Sequence, residues 1–238
     1  MSMPSTWLIT GASRGIGLEL TKQLLASPDA VVFATCRSPQ SATPLLALGD
    51  SVSTNGTLHV VRMDVTDEIS IVSAKDEVAG ILQGRGLDYL VNNAGVAPQD
   101  DRTTTLNIND LLSTFLANVA GPALVMKTFI PLIEQGNRQV IANVSSALAS
   151  IGTDFGREHT SYSISKYGLN MLTYKLAKER PDLTPFLVDP GWVKTDMGGS
   201  NAVLEAHESV AGIIQVVKNV TTKDAGQFID YTGQKVPW

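Results

Sequence analysis

Short runs of β-branched and other apolar residues alternate along this chain with longer stretches whose apolar positions recur every three or four residues. Residues 7–10, 30–36, 57–63, 87–91, 139–144, 184–188 and 227–231 are of the first kind and predict seven strands. Residues 16–26, 67–82, 107–135 and 161–179 are of the second kind and predict helices. Strands separated by helices imply right-handed βαβ units, because parallel neighbours need a crossover between them. The expected fold class is therefore α/β, a doubly wound, mostly parallel seven-stranded sheet with helices on both faces. Continuous apolar strands such as Ala30-Val31-Val32-Phe33 suit burial from both sides. The stretch 38–56, rich in Ser, Thr, Pro and Gly, reads as a surface connection with at most a short helix near 45–48. Residues 191–206 read as an irregular loop. Neither interrupts the alternation, so residues 1–238 are expected to form a single domain.

Composition narrows the class of function. Hydrophobic residues make up 43% and charged residues 17%, too apolar for a disordered chain. The formal charge of −5 comes with no run of basic residues, so nucleic acid is not an expected partner. The apolar region 111–133 contains Asn118, Gly121, Pro122 and Lys127, and is read as a buried helix rather than a membrane span. Met1 to Thr6 has no basic n-region, so no secretory signal is expected. The lone Cys36 has no disulfide partner in the chain, and His59, His159 and His207 have no metal-ligand spacing. A reducing, cytoplasmic setting is expected, with no metal and no membrane.

Candidate chemistry begins directly after the first strand, at Thr10-Gly11-Ala12-Ser13-Arg14-Gly15-Ile16-Gly17. Glycines there permit a tight turn, and the following helix N-terminus offers free N–H groups and a positive dipole end to a diphosphate. Such a turn alone is weak evidence. Its place between strand and helix strengthens it. A second candidate is Tyr162 with Lys166, one helical turn apart on a shared face. A free tyrosine ionises near pH ~10, and a neighbouring ammonium would favour the phenolate. A chance match is common, and Tyr174 with Lys178 repeats the spacing. That pair faces another way on the same helix and is read as packing and solvated surface. The fifth strand ends in Ser145-Ser146, and Asn118 lies inside a helix where an amide has poor propensity.

Together these motifs resemble the short-chain dehydrogenase/reductase family. The likeness runs through Thr10 to Gly17, Asp64-Val65, Asn92-Asn93-Ala94-Gly95, Asn118, Ser145-Ser146, Tyr162 with Lys166, and Pro190-Gly191. It implies a Rossmann-type fold, a nicotinamide cofactor and a catalytic set of Ser146, Tyr162, Lys166 and Asn118. Ser146 stands sixteen residues before Tyr162, three more than is usual in the family, so an insertion is expected in 147–160 and Ser145 remains the alternative. By the same resemblance, Gly11, Ser13, Arg14, Gly15, Ile16 and Gly17 hold the diphosphate. Asp64 and Val65 meet the adenine, Asn92, Ala94 and Gly95 close over the adenosine, and Tyr162 and Lys166 also hold the nicotinamide ribose. Pro190, Gly191, Val193 and Thr195 pass the nicotinamide, and Asn118 perturbs its helix and holds a water linking Lys166 to solvent.

The choice of cofactor is a question of charge after the second strand. Cys36-Arg37-Ser38 has no carboxylate for a ribose 2′-OH, while Arg37, with Arg14 opposite, can pair with a 2′-phosphate. NADPH/NADP+ is expected, the competing reading being two solvated arginines. Residues 191–206 are expected to form a substrate lid, with Trp192 and Met197 either lining an apolar pocket or buried in the core. The ending Gly233-Gln234-Lys235-Val236-Pro237-Trp238 is similar to short members of the family related to C-factor proteins and small carbonyl reductases. Reduction of a small carbonyl compound is the favoured activity, ahead of alcohol oxidation by the same groups and of a non-catalytic NADPH-binding scaffold. The resemblance also implies a homodimer or homotetramer joined through the helices carrying Asn118 and Tyr162.

Overall fold

A computed structural model of the chain describes residues 4–51 and 55–238. Residues 1–3, part of the segment read above as lacking a secretory signal, and residues 52–54 of the expected surface connection lie outside the described residues. The strands are β1 (Ser5–Thr10), β2 (Ala30–Cys36), β3 (Thr57–Arg62), β4 (Tyr89–Asn92), β5 (Val140–Val144), β6 (Thr184–Asp189) and β7 (Phe228–Asp230). They form one sheet in the order β3-β2-β1-β4-β5-β6-β7. Every adjacent pair is parallel, so the sheet is uniformly so where a mixture was allowed for. The chain winds outward from β1 to β3, then returns beside β1 as β4 and winds the other way. The crevice at that reversal, outside the carboxyl ends of β1 and β4, is where open α/β sheets hold ligands.

The helices are α1 (Gly15–Leu25), α2 (Thr43–Gly49), α3 (Glu68–Leu82), α4 (Ile108–Phe115), α5 (Gly121–Ile133), α6 (Thr160–Glu179) and α7 (Ala206–Asn219). Alternation along β1 sends its side chains to opposite faces. Trp7 and Ile9 pack with Leu20 and Leu24 of α1 and Val210, Ile213 and Val217 of α7. Leu8 packs on the other face with Ile71 and Val78 of α3 and Val125 and Phe129 of α5. Each such fully buried Leu, Ile or Phe contributes about 1.5–3 kcal/mol, so both layers are held by the same strands that aim the site residues.

Two helical features differ from the expectation. The helix α7 lies in a stretch for which none was predicted, though Val210, Ile213, Val216, Val217 and Val220 keep helical spacing and Glu205 and Glu208 form a reciprocal N-terminal box. The single helix expected over 107–135 is divided by a widened turn, Leu116–Ala120, in which the Gly121 N–H reaches back to the Leu116 carbonyl. Asn118 sits within that turn. Widened turns of this kind recur at functional sites.

Candidate active site

The chain leaves β1 at Thr10, whose Oγ1 accepts the N–H groups of Asn93 (3.0 Å) and Ala94 (2.9 Å) beyond β4. This ties the first glycine turn to the β4 loop. Gly11 lies at φ +68°, and a Cβ there would stand 2.8 Å from Ala94 Cα, so the turn needs glycine on two counts. At the start of α1, Arg14 is extended and gives no side-chain cap, and the first turn holds no acidic residue. The leading N–H groups of α1 are thus left for an anion, in a cleft of about 250 Å³ lined by Gly11, Ser13, Arg14, Gly15 and Ile16. Free helix N–H groups beside close glycines fit a dinucleotide diphosphate.

The other end of the cleft is lined by Arg37, Asp64 and Val65. Burial opposes ionisation of Asp64, but hydrogen bonds from the Thr66 N–H (2.9 Å) and hydroxyl (2.7 Å), with Arg37 and Arg62 nearby, hold its carboxyl below the ordinary value. Arg37 is exposed at the rim. Arg14 instead reaches Asp196 across the cleft at 3.3 Å, both side chains open to solvent. Its convergence with Arg37 on one phosphate, expected above, is not formed in this arrangement.

Of the other residues expected to meet a cofactor, Ala94, Gly95, Pro190 and Thr195 line the cleft, whereas Gly17, Asn92, Gly191 and Val193 do not. Gly17 packs against the turn, since a Cβ there would lie 2.4 Å from the Gly11 carbonyl. Asn92 points into the protein, its Nδ2 donating to Asn143 Oδ1 at 2.8 Å. The cleft residue is the next one, Asn93, whose Nδ2 donates to the carbonyls of Thr10 and Gly11. The reason is strand alternation: Asn92 ends β4 facing inward, and the chain turns at Asn93. Gly191, at φ +75°, faces the Tyr231 ring, and Val193 is buried and bridged to Leu204. That bridge and the ion pair of Lys194 with Glu205 fold residues 191–206 back on themselves. Trp192 and Met197 are 55% and 52% exposed, so neither is core. Met197 lines the cleft.

The helix α6 delivers Tyr162 and Lys166 to the same cleft. Its N-terminus is not capped from its own segment. Asp101, in the loop after β4, accepts the Ser161 N–H at 3.0 Å and the Ser161 hydroxyl, and its carbonyl accepts the Thr160 N–H. Asp100 accepts the N–H of His159, which turns at φ +59° to start the helix. Neither aspartate carries a local signature, so sequence reasoning passed over both.

Lys166 is 4% exposed and donates from Nζ to the Val144 carbonyl at 2.8 Å, with Nζ 5.7 Å from the centre of the Tyr162 ring. Burial pushes its ammonium down to about 8. Burial likewise pushes the Tyr162 phenol up to about 12, against a hydrogen bond with Ser146 and helped by the negative charge of Asp189. The ammonium was expected to lower the phenol; instead desolvation raises it, Lys166 does not figure among the groups that shift it, and both groups move toward their neutral forms. Of the two serines, Ser146 acts on the Tyr162 phenol and its Oγ accepts the Leu148 N–H at 3.2 Å, whereas Ser145 is the one that lines the cleft. Ser145 is buried, donating to Asn170 Oδ1 at 2.5 Å. The longer spacing to Tyr162 is taken up by the short helix Ala147–Ala149 and the loop after it.

Asn118 is fully buried and its side chain is fully engaged. Its Oδ1 accepts the Val96 N–H (2.8 Å), and its Nδ2 donates to the Val96 carbonyl (2.8 Å) and Ser165 Oγ (2.9 Å). Ser165 donates in turn to the Tyr162 carbonyl. The asparagine therefore joins the β4 loop to α6 behind Tyr162. The decoy pair behaves otherwise: the Tyr174 ring meets Trp238 edge-on, and Lys178 lies over that ring on the surface, away from the cleft.

Comparison with known proteins agrees with this arrangement. The sequence profile of the short chain dehydrogenase family matches residues 5–231. The C-signal protein of Myxococcus xanthus is 35% identical over 154 residues, covering 64% of this chain and 93% of that protein. Among solved structures, an NADPH-bound carbonyl reductase from chicken fatty liver superposes with a TM-score of 0.92 at 33% identity, covering all of both chains. The carbonyl reductase Sniffer of D. melanogaster superposes equally well, at 0.92 with 31% identity and full coverage of both chains. A seven-stranded parallel sheet, a glycine turn opening on uncapped helix N–H groups and a family match over residues 5–231 lead to one conclusion: the chain belongs to the short-chain dehydrogenase family of oxidoreductases.

Proposed function

We propose that this protein is an NADPH-dependent carbonyl reductase that converts an aldehyde or ketone to an alcohol. The observation that carries the proposal is that Tyr162 and the buried Lys166, its Nζ 5.7 Å from the Tyr162 ring, line the glycine-turn cleft together, with Ser146 acting on the phenol from the end of β5. Solved relatives described as carbonyl reductases, one of them with NADPH bound, support it. When bound, the nicotinamide supplies the hydride. Ser146 and Tyr162 donate hydrogen bonds to the carbonyl oxygen and so orient it. Tyr162, protonated at neutrality, gives its hydroxyl proton to that oxygen. Lys166 provides the replacement, and Asn118 keeps the backbone of Val96 and the Ser165 hydroxyl fixed behind the pair. A half-buried tyrosine drawn away from water is a weak acid, which suits a donor that must not ionise before the substrate arrives.

Arg37 at the rim selects NADPH by pairing with the 2′-phosphate, since Cys36-Arg37-Ser38 at the end of β2 offers no carboxylate to prefer a free ribose hydroxyl. Gly11, Ser13, Gly15 and Ile16 hold the diphosphate, Asp64 and Val65 the adenine side, and Pro190 and Thr195 the nicotinamide side. Residues 191–206 act as a substrate lid, with Met197 over the cleft. The cytoplasm, where NADPH and free thiols persist, is the setting that suits the chain. Exposed Leu112 and Phe115 on α4 and Ile164 and Met171 on the adjacent α6 support self-association through these helices, which sedimentation tests. The activity itself is tested by NADPH consumption against a varied panel of aldehydes and ketones. Turnover of at least one supports the proposal; NADPH binding without turnover of any favours a scaffold.

A further inference from the structure

A buried carboxylate at the site has so far been given no task. Asp189 ends β6 at 8% exposure, and its Oδ1 accepts the N–H of Ala147 at 3.0 Å. The Gly191 N–H, two residues on, also favours the charged form of the same carboxylate. It has no cationic partner among the described residues. Its register neighbour on β7 is another acid, Asp230, whose own carboxylate is occupied by the N–H groups of Thr232 and Gln234. A buried, unpaired carboxylate beside a like charge is unfavourable for stability alone. A fold that needed only an acceptor for two N–H groups could use a neutral side chain there.

The two N–H groups locate the reason. Ala147 directly follows Ser146, and Gly191 follows the cleft residue Pro190. One buried carboxylate at the end of β6 therefore holds the peptide that follows Ser146 to the start of the β6 loop. Without it, the backbone leaving β5 is held to β6 by the Ser145 N–H on the Val188 carbonyl at 2.8 Å, one residue short of Ser146, and by the Leu148 N–H on the serine's own Oγ, neither of which fixes the peptide that follows Ser146 against β6. We infer that Asp189 is a positioning residue that sets the Ser146 hydroxyl against Tyr162 by accepting the Ala147 N–H while it anchors Gly191.

Its charge has a second effect. The groups facing Tyr162 are Ser146 from the β5 end, Lys166 from its own helix and Asp189 from β6. The negative charge of Asp189 raises the phenol's affinity for its proton, adding to burial. Asp230 in turn raises the affinity of Asp189 for a proton, again in addition to burial. An acid in this position thus aligns the serine and helps keep Tyr162 protonated, which a neutral residue does only in part. This inference rests on the reductase reading.

Asp189→Asn keeps an acceptor oxygen and removes the charge; Asp189→Ala removes both. Two measurements on the full chain with NADPH present separate the roles. Amide hydrogen exchange reports whether the Ala147 N–H is held. The pH profile of alcohol oxidation, which requires the phenolate, reports Tyr162. Asp189→Ala is expected to lose protection at Ala147 and to lower kcat by about 10- to 100-fold, the cost of a misplaced catalytic group. Asp189→Asn is expected to keep protection and most of kcat at neutral pH, with the alkaline rise in oxidation moved to lower pH. Wild-type protection and kcat in Asp189→Ala would overturn the positioning role, and a pH profile of Asp189→Asn superimposed on wild type would overturn the charge effect. If the wild type itself turns over no carbonyl or alcohol, the reductase reading fails, and exchange alone decides: protection lost only in Asp189→Ala supports the clasp, and equal protection in all three proteins refutes it.

Discussion

Replacing Lys166 by methionine is expected to stabilise the protein at neutral pH while abolishing its activity. The lysine ordinarily ionises near 10.5 and is pushed down to about 8 by burial, so folding at pH 7 forces a charge into a place that disfavours it. That difference corresponds to about 3 kcal/mol of lost stability. The sign follows from linkage. A base whose folded value is depressed destabilises the fold fully below about 8, and the penalty disappears as pH rises through 10.5, the unfolded value. Methionine fills much the same volume without the charge. It does leave the Val144 carbonyl without the 2.8 Å bond from Nζ, which costs about 1 kcal/mol. The net gain is about 2 kcal/mol at pH 7, or about 4–8 °C in Tm for a chain of this size. Denaturant unfolding of both proteins at several pH values between 7 and 10 measures it. The variant should be the more stable at pH 7, and the advantage should shrink as pH rises. A variant less stable than wild type at pH 7, or a gap that widens with pH, would refute the reasoning.

Other outcomes follow from the same geometry. Arg37→Ala should raise the KM for NADPH by about 10- to 100-fold with little change for NADH, since only the 2′-phosphate loses a charged partner; equal losses with both cofactors in steady-state kinetics would remove Arg37 from that role. Carbonyl reduction should fall as pH climbs through about 8, where Lys166 gives up its proton, while alcohol oxidation rises with pH as Tyr162 ionises, a step centred near 12. Parallel pH profiles in the two directions would contradict this. Asp101→Ala removes the cap of α6 one residue before Tyr162 and should cost about 1–2 kcal/mol in unfolding experiments, with a fall in kcat larger than any change in NADPH affinity.

The sheet and the chemistry were legible in the sequence to different depths. Strands flanked by turn residues announced themselves, and so did the glycine turn and the Tyr162–Lys166 pair, because each is a local pattern set by steric and periodic rules. Helix α7 was legible too: the capping residues Glu205 and Glu208 and the apolar spacing from Val210 to Val220 were present, but the sequence reading ended its loop at 206 and assigned no element to the stretch that follows. What the sequence did not show is long-range. Asp101 caps a helix about sixty residues away, and Asp189 grips Ala147 from a different strand, contacts that exist only once the sheet has assembled. The choice between Asn92 and Asn93 turned on where β4 ends, a matter of one residue of strand alternation. The expected effect of Lys166 on Tyr162 failed for a different reason, because proximity was legible and the depth of burial was not.

The proton that Tyr162 gives is the central step of the proposed reduction. NADPH consumption by the wild type and by Tyr162→Phe, with any carbonyl compound the wild type reduces, tests it, provided NADPH binding is measured alongside. The expected result is that both proteins bind NADPH equally and that the variant turns over at least about a thousand-fold more slowly. Turnover by Tyr162→Phe within a few-fold of wild type would contradict it.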